Sequence, residues 1–238
     1  MKILFVSDNE YLCSSVREIV SQFTDAHSEF AYSYHNTVFL EKYKSKSFFY
    51  PIDVKKEQDF IINNFDLVFS IHCKQLFPKK LVQQKRCINV HPGFNPYNRG
   101  WFPQVFSIIN KLPVGVTIHE MDEMLDHGGI ILQEKVPVES FDTSYTVYKK
   151  IIKKEIELLG KHMLDIIKGN YVVFYPETDG NLNRKTDFNG LCEINLLKTA
   201  TYGEVIDFLR AMTFESYKNA YFVAEDGKKI FVNIQLKE

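Results

Sequence analysis

Short apolar runs alternate with amphipathic segments along the first half of the chain, and this alternation constrains the fold more than any other feature. Residues 3–6 form a continuous apolar run, and Leu12, Val16 and Val20 follow at helical spacing. Further apolar runs at 67–71 and 87–90 are each accompanied by a helix-like segment. The pattern predicts an α/β fold with a parallel-rich sheet, whose ligands bind at the carboxyl ends of the strands.

The later part of the chain predicts an edge of the sheet and a smaller appendage. Runs at 115–119 and 130–133, joined through two glycines, favour an antiparallel pair, and a long helix begins at Asp142 or Thr143 and ends at Gly169. Loop-rich sequence follows, which places a boundary near residue 175. We therefore predict domains at 1–174 and 175–238, the second a small subdomain with a helix and a β-hairpin.

Charge and cysteine usage exclude several classes of protein. The chain has 29 Lys and Arg against 30 Asp and Glu, a net charge of −1, so no basic field attracts nucleic acid. Its amino-terminal apolar run is too short for a signal sequence or a membrane span. The four cysteines are scattered, which is typical of reduced thiols. We expect a cytoplasmic protein without nucleic-acid or membrane partners.

The clearest candidate chemistry lies where the run at 87–90 ends. Asn89 and His91 point to one face of an extended strand, and Pro92-Gly93 turns the chain just beyond. No glycine-rich phosphate loop follows the first strand, which disfavours a dinucleotide dehydrogenase. A packed, hydrogen-bonded structural histidine is the alternative interpretation of His91.

A second polar concentration runs from His119 to the glycines before residue 130. Asp126 lies in it, either as a turn residue or as a member of a joint site with Asn89 and His91. A histidine can take a proton from an attacking amine, an amide can donate to an oxyanion, and an aspartate can orient the histidine. This combination suits acyl transfer to an amine. Metal ligation by the histidines is a weaker alternative, since no metal motif accompanies them, and we predict no metal.

Two segments carry a family resemblance. INVHPGFNPYNRG at 88–100 and HEMDEMLDHGGIILQ at 119–133 resemble, in the right order, the two motifs of folate-dependent formyltransferases. The resemblance implies a Rossmann-like formyltransferase core, N10-formyltetrahydrofolate as the donor, and catalytic roles for Asn89, His91 and Asp126. At Gly93 and Phe94 the chain differs from the Ser-Leu that is frequent in the family, but the three catalytic positions match the motif.

Within that family the chain is most similar to bacterial N-formyltransferases of nucleotide-linked amino sugars. RGWFPQVFSIINKLP and the tail segment FLRAMTFESYKNAYF carry this similarity. It implies a dTDP-linked amino sugar as the acceptor, with dTDP-4-amino-4,6-dideoxyglucose expected, for surface polysaccharide such as the O-antigen of lipopolysaccharide. A homodimer through the carboxyl-terminal hairpin region is a further expectation. A 3-amino-sugar formyltransferase and a noncatalytic nucleotide-sugar binding module remain alternatives.

Secondary site residues follow from their places near strand ends and from the family analogy. Asn9 and Lys74 follow apolar strands and are candidates for binding the diphosphate of the substrate. The alternative for Lys74 is a solvated surface side chain without a ligand. Arg99 and Trp101 are candidates for the sugar or nucleotide, and Trp101 is alternatively a core anchor.

The expected pterin site consists of two loops. Gln75, Leu76 and Phe77 come after the 67–71 strand and offer backbone groups and an apolar wall, and Met124 and Leu125 precede Asp126. The family analogy implies that these five residues bind the folate.

Overall fold

The computed structural model describes residues 1–22, 26–43 and 48–237, and the predicted mixed α/β architecture is confirmed. Its strands are β1 (Lys2–Ser7), β2 (His27–Ser33), β3 (Phe49–Ile52), β4 (Leu67–Ile71), β5 (Arg86–His91), β6 (Arg99–Gly100), β7 (Gly115–Glu120), β8 (Ile130–Lys135), β9 (Leu182–Asn183), β10 (Ala220–Val223) and β11 (Lys229–Val232). Its helices are α1 (Glu10–Ser21), α2 (Thr37–Lys42), α3 (Gln58–Asn64), α4 (Lys79–Gln84), α5 (Pro103–Asn110), α6 (Ser144–Lys168), α7 (Lys185–Leu191) and α8 (Tyr202–Met212).

A seven-stranded sheet with the order β3-β2-β1-β4-β5-β7-β8 organises the first half of the chain. The strands from β3 to β5 are parallel to their neighbours, whereas β7 runs antiparallel to β5. The strand order reverses between β1 and β4, and such a switch point opens a crevice at the carboxyl ends of the strands. The loops that follow β1 and β4 are therefore placed to contact ligands.

The central strands are buried on both faces, as their continuous apolar sequences predict. Every residue of β4 is buried, and the Phe5 ring stacks on Phe30 and Phe69 at centroid distances of 5.0 and 4.9 Å. Helix α1 buries Leu12 and Val16 along one stripe. Cores of this kind bury enough apolar surface to hold polar groups rigidly at the strand ends.

The contacts of the chain divide it into two units. The first contains residues 1–91, 117–133 and 154–175, and the second contains 92–116, 134–153 and 176–238. The last junction between the units lies between residues 175 and 176. The second unit thus combines the carboxyl-terminal residues with two segments from earlier in the chain.

A buried asparagine network holds the second unit together. Asn98 is fully buried with a φ of 52°, a conformation that Asn tolerates better than most residues. Its Nδ2 donates to Ser107 Oγ at 3.0 Å, and its Oδ1 accepts from Asn181 at 2.8 Å and from Asn183 at 3.2 Å. The segment at 181–183, which reads as loop in the sequence, thus pairs with β6 as β9.

The carboxyl-terminal elements match their sequence signals. Thr201 and Glu204 form the predicted capping box of α8, and β10 pairs with β11 as the predicted hairpin. Gly227, in the turn, has a φ of 79°, which favours glycine. None of the helices in the described ranges combines the length and apolar composition that a membrane crossing requires.

Candidate active site

Two buried polar side chains lie at the carboxyl end of β5. Asn89 is 9% exposed and His91 is 4% exposed, and both belong to the first unit. Because they are two residues apart in an extended strand, their side chains share one face of the sheet. Buried polar groups need partners, and two neighbouring segments supply them.

The first partner is His119 on the adjacent strand β7. The register places His119 opposite Asn89, and His119 Nε2 lies 3.2 Å from Asn89 Nδ2. His119 Nδ1 lies 2.6 Å from the carbonyl oxygen of Glu120, which can only accept, so Nδ1 carries the hydrogen. In the neutral ring Nε2 is then an acceptor for the Asn89 amide. This role of His119 depends on the register of β5 and β7, which the sequence alone does not give.

The second partner is Asp126, in the loop between β7 and β8. Asn89 Nδ2 donates to Asp126 Oδ1 at 2.9 Å, and Asp126 Oδ2 lies 3.5 Å from His91 Nδ1. Asp126 is 8% exposed and has a φ of 49°, a left-handed conformation that is uncommon outside glycine. Such strain is frequent at functional sites. The structure thus brings Asn89, His91 and Asp126 together.

The loop that carries Asp126 is held from both sides. Asp122 accepts from the backbone N–H of Met124 at 2.8 Å, and its other oxygen lies 2.7 Å from His127 Nδ1. Gly128 passes so close to β7 that an added Cβ would lie 1.9 Å from the carbonyl oxygen of Glu120. This position therefore requires glycine.

Other chemistries have less support at this site. Burial raises the pKa of the Cys87 thiol to about 12, so Cys87 stays protonated at neutral pH and is a poor nucleophile. Across the described ranges, no group of three or more His, Cys, Asp or Glu side chains is arranged to hold a metal ion. His119 and His127 instead contact Asn89 and Asp122.

The loop after β4 is tightly anchored to the first three strands. The backbone N–H of Lys74 donates to Asp8 Oδ2 at 2.8 Å. The Gln75 side chain donates to the carbonyl of Ile52 at 2.9 Å and accepts from the N–H of Val54 at 3.0 Å. The Gln75 side-chain amide thus holds its own loop, whose backbone groups were the ones expected to contact the cofactor.

The apolar residues of the two expected pterin loops differ in exposure. Leu76 is 74% exposed, Met124 55% and Leu125 37%, whereas Phe77 packs against the buried core. Glu123, next to Met124, ties its loop to α4, because its carboxylate accepts from Gln83 at 2.6 Å and pairs with Lys79 at 2.7 Å. Exposed apolar side chains on anchored loops are typical of a ligand surface.

The expected diphosphate residues have local partners. Asn9 Oδ1 caps α1 by accepting from the N–H of Leu12 at 3.0 Å. Asp8, which the sequence analysis did not single out, also accepts from Asn36 at 2.9 Å and from the N–H of Ser33 at 3.1 Å. Together these contacts order the crevice end of β1. The Lys74 side chain is exposed.

Arg99 and Trp101 belong to the second unit. Trp101 is 36% exposed, and its backbone N–H donates to the carbonyl of Asn183 at 2.9 Å. The ammonium group of Lys185 lies 5.6 Å from the centroid of the Trp101 ring, a cation–π contact. Arg99 is half-buried in β6. The backbone N–H groups of Arg99 and Trp101 thus bond to Asn181 and Asn183 within their own unit.

Two family descriptions match the chain. Residues 35–163 match "Formyl transferase", and residues 187–238 match "N-formyltransferase dimerization C-terminal domain". The chain is 49% identical over 185 residues to the dTDP-4-amino-4,6-dideoxyglucose formyltransferase of Mycobacterium bovis, which covers 78% of this chain and 79% of the relative.

Solved structures give the same result. The crystal structure of a 4-N formyltransferase from Francisella tularensis has a TM-score of 0.96 and 48% identity, covering 100% of this chain and 98% of the other. An N-formyltransferase from Helicobacter canadensis, in complex with folinic acid and dTDP-3-aminofucose, shares the fold at a TM-score of 0.71 and 20% identity, covering 92% of this chain and 83% of the other.

Proposed function

Because this chain belongs to the formyl transferase family, we propose that it formylates the amine of a nucleotide-linked amino-dideoxy sugar. The donor is N10-formyltetrahydrofolate, and the acceptor is dTDP-4-amino-4,6-dideoxyglucose. The observation that carries the proposal is the convergence of Asn89, His91 and Asp126, with Asp126 2.9 Å from the Asn89 amide and 3.5 Å from the His91 ring.

The geometry suits a direct transfer. The neutral sugar amine attacks the formyl carbon, and the Asn89 amide donates to the oxyanion that forms there. His91 takes the proton from the amine, Asp126 orients the His91 ring through Nδ1, and the bond from the formyl carbon to N10 of the folate breaks with return of a proton to that nitrogen. No protein nucleophile takes part.

Each substrate has support from a different observation. Exposed Leu76, Met124 and Leu125 provide apolar surface that suits a flat pterin. The folinic acid bound by the Helicobacter relative supports the same donor class. The relatives from Mycobacterium and Francisella support a dTDP sugar with its amine at C4.

We assign the remaining positions by the same analogy. Gln75 and Phe77 shape the donor loop, and Asn9, Lys74, Arg99 and Trp101 bind the nucleotide sugar. The match of residues 187–238 to a dimerization domain supports a homodimer, and four free cysteines suit a cytoplasmic enzyme. The product would supply surface polysaccharide such as the O-antigen of lipopolysaccharide.

One experiment tests the function directly. Purified protein is incubated with N10-formyltetrahydrofolate and a panel of dTDP- and UDP-linked 3-amino and 4-amino sugars, and product masses are read for one added formyl group. We expect turnover of dTDP-4-amino-4,6-dideoxyglucose above all others. Preferential turnover of a 3-amino sugar would correct the acceptor, and sugar binding without formylation of any panel member would favour a binding module.

A further inference from the structure

A buried carboxylate on α6 lies outside the groups that the proposed reaction uses. The Glu155 side chain is fully buried, and its Oε1 lies 2.8 Å from His72 Nε2. Its Oε2 has no hydrogen-bond partner among the residues that the structure describes. A carboxylate at this depth is costly unless it is paired. The pairing with His72 is therefore the principal polar interaction that determines how this carboxylate is oriented.

His72 occupies a critical point of the backbone. It follows the last residue of β4 directly and has a φ of 53°, which L-residues rarely adopt. At this point the chain leaves the sheet and begins the loop at 74–77. A side chain held by a rigid helix can maintain such a conformation, because the hydrogen bond favours the rotamer and backbone that allow it.

Three anchors then act in succession on the same short loop. His72 is held by Glu155, the Lys74 N–H by Asp8, and the Gln75 amide by the backbone at the end of β3. Leu76 comes next and remains 74% exposed. These three anchors hold the backbone of Leu76 and its exposed apolar side chain in a defined position. Such an arrangement is expected of a preorganised ligand loop.

We propose that Glu155, acting through His72, is a positioning residue that orders the 74–77 loop for binding of the formyl donor. The inference rests on the proposed function, because that function supplies the ligand. Glu155 itself need not touch the ligand. The structural alternative is that the pair only stabilises the fold, and the two accounts predict different effects on binding by folded molecules.

The test compares Glu155→Met, which keeps the side-chain length but removes the acceptor, with Glu155→Gln, which keeps one acceptor oxygen. We expect Glu155→Met to raise the Kd of 5-formyltetrahydrofolate on the order of tenfold, the equivalent of one lost hydrogen bond. The KM for the donor should rise in parallel, whereas the KM for the sugar and kcat at saturating donor stay near their wild-type values. Glu155→Gln should restore most of the donor affinity.

Leu159→Ala is the matched control. Leu159 is fully buried one turn further along α6, so its truncation lowers the melting temperature without removing the contact to His72. We expect the Leu159→Ala protein to bind the donor with wild-type Kd below its melting temperature. A folded Glu155→Met protein with wild-type donor Kd would overturn the inference and leave the proposed function standing.

Two further outcomes keep the test decisive. If Glu155→Met does not fold, His72→Asn replaces it, because Asn tolerates a positive φ but is too short to reach the carboxylate. It should raise the donor Kd in the same way, and an unchanged Kd would reject the positioning role. If the wild-type protein binds no folate at all, the proposed function itself fails, and the inference falls with it.

Discussion

Asn89 Nδ2 donates to Asp126 Oδ1 at 2.9 Å, and this bond joins the end of β5 to a loop 37 residues further along the chain. The carboxylate and His119 Nε2 are both acceptors, so the network determines which way the Asn89 amide faces. Its NH2 group, and not its carbonyl oxygen, therefore lies on the side of Asp126 and His91. Both N–H groups of this amide have acceptors in the resting network, so donation to a developing oxyanion requires one of them to leave His119 Nε2 or Asp126 Oδ1.

His119 should act on the reaction only through Asn89. Asn89→Ala should lower kcat by about 100-fold to 1,000-fold, the usual loss of an oxyanion donor, whereas His119→Phe should lower it roughly tenfold because one amide N–H loses its acceptor. The double variant should match Asn89→Ala alone. Steady-state kinetics gives kcat for the three variants. If the double variant lost kcat by the product of the two single losses, His119 would have a role independent of Asn89.

His91 separates the catalytic and structural interpretations of the site. His91→Asn keeps a polar group of similar size, so we expect a folded protein whose turnover is lower by roughly 100-fold to 10,000-fold, as for loss of a general base. Melting temperature and kcat are measured on the same preparation. A large drop in melting temperature with normal turnover per folded molecule would support a packing role, and a folded, fully active variant would remove His91 from the mechanism.

Gly128 is required by a close approach of two backbone segments. Gly128→Ala should destabilise the protein by roughly 1–3 kcal/mol and lower kcat, since the Cβ would displace the loop that carries Asp126. Gly160→Ala is the control, because Gly160 lies in α6 with no atom near its would-be Cβ, and helix propensity predicts a gain of up to about 1 kcal/mol. Urea unfolding measures the free energy of unfolding of both variants. Opposite signs of the two stability changes would support the requirement for glycine at position 128, and equal changes would refute it.

The fold was predictable where local pattern and burial agree. Strands β1, β4 and β5 are built on short, mostly apolar runs that are buried on both faces, and α6 follows its apolar stripe. Strand β2 was missed because its sequence, HSEFAYS, mixes polar and apolar residues. Glu29 in that strand is accommodated by a hydrogen bond from Tyr50 of β3 at 2.9 Å. A pairing of this kind is visible only after the strands are placed side by side.

The same distinction applies to the candidate site. The spacing of Asn89 and His91 placed both on one face of a strand, which is a local property. The proximity of Asp126 followed from the family motif and not from spacing, since β6, α5 and β7 lie between it and His91 in the chain. The contacts of His119 and Gln75 depend on sheet register and on the end of β3, and no sequence signal available here assigns them.

The last prediction concerns stability and pH at the start of α6. Asp142 is 1% exposed, and its carboxylate accepts from Lys150 at 2.6 Å, from the N–H of Glu139 at 2.7 Å and from Thr146 at 2.8 Å. Burial alone would raise the pKa of Asp142, but these bonds to the charged form outweigh it, so the pKa lies below its ordinary value. A lowered pKa in the folded state means that the ionised carboxylate stabilises the protein above the unfolded pKa of about 3.9, and that this stabilisation is lost as the pH falls through the folded value.

Asp142→Asn should therefore be less stable than the wild type at pH 7, by about 1–2 kcal/mol for the loss of hydrogen bonds to a charged group. The difference between the two proteins should begin to narrow as the pH falls below about 4, where the carboxylate of the unfolded chain becomes protonated, and should shrink further until the pH passes the lowered pKa of the folded protein. Urea unfolding at pH values from 7 to 3 measures this difference.

Asp226→Asn is the control, since Lys228 also lowers the pKa of Asp226, but in an exposed turn where screening makes the pair weak. We expect no measurable change for Asp226→Asn, and a gap between Asp142→Asn and wild type that stays constant at every pH would show that the carboxylate charge is not what stabilises the start of α6.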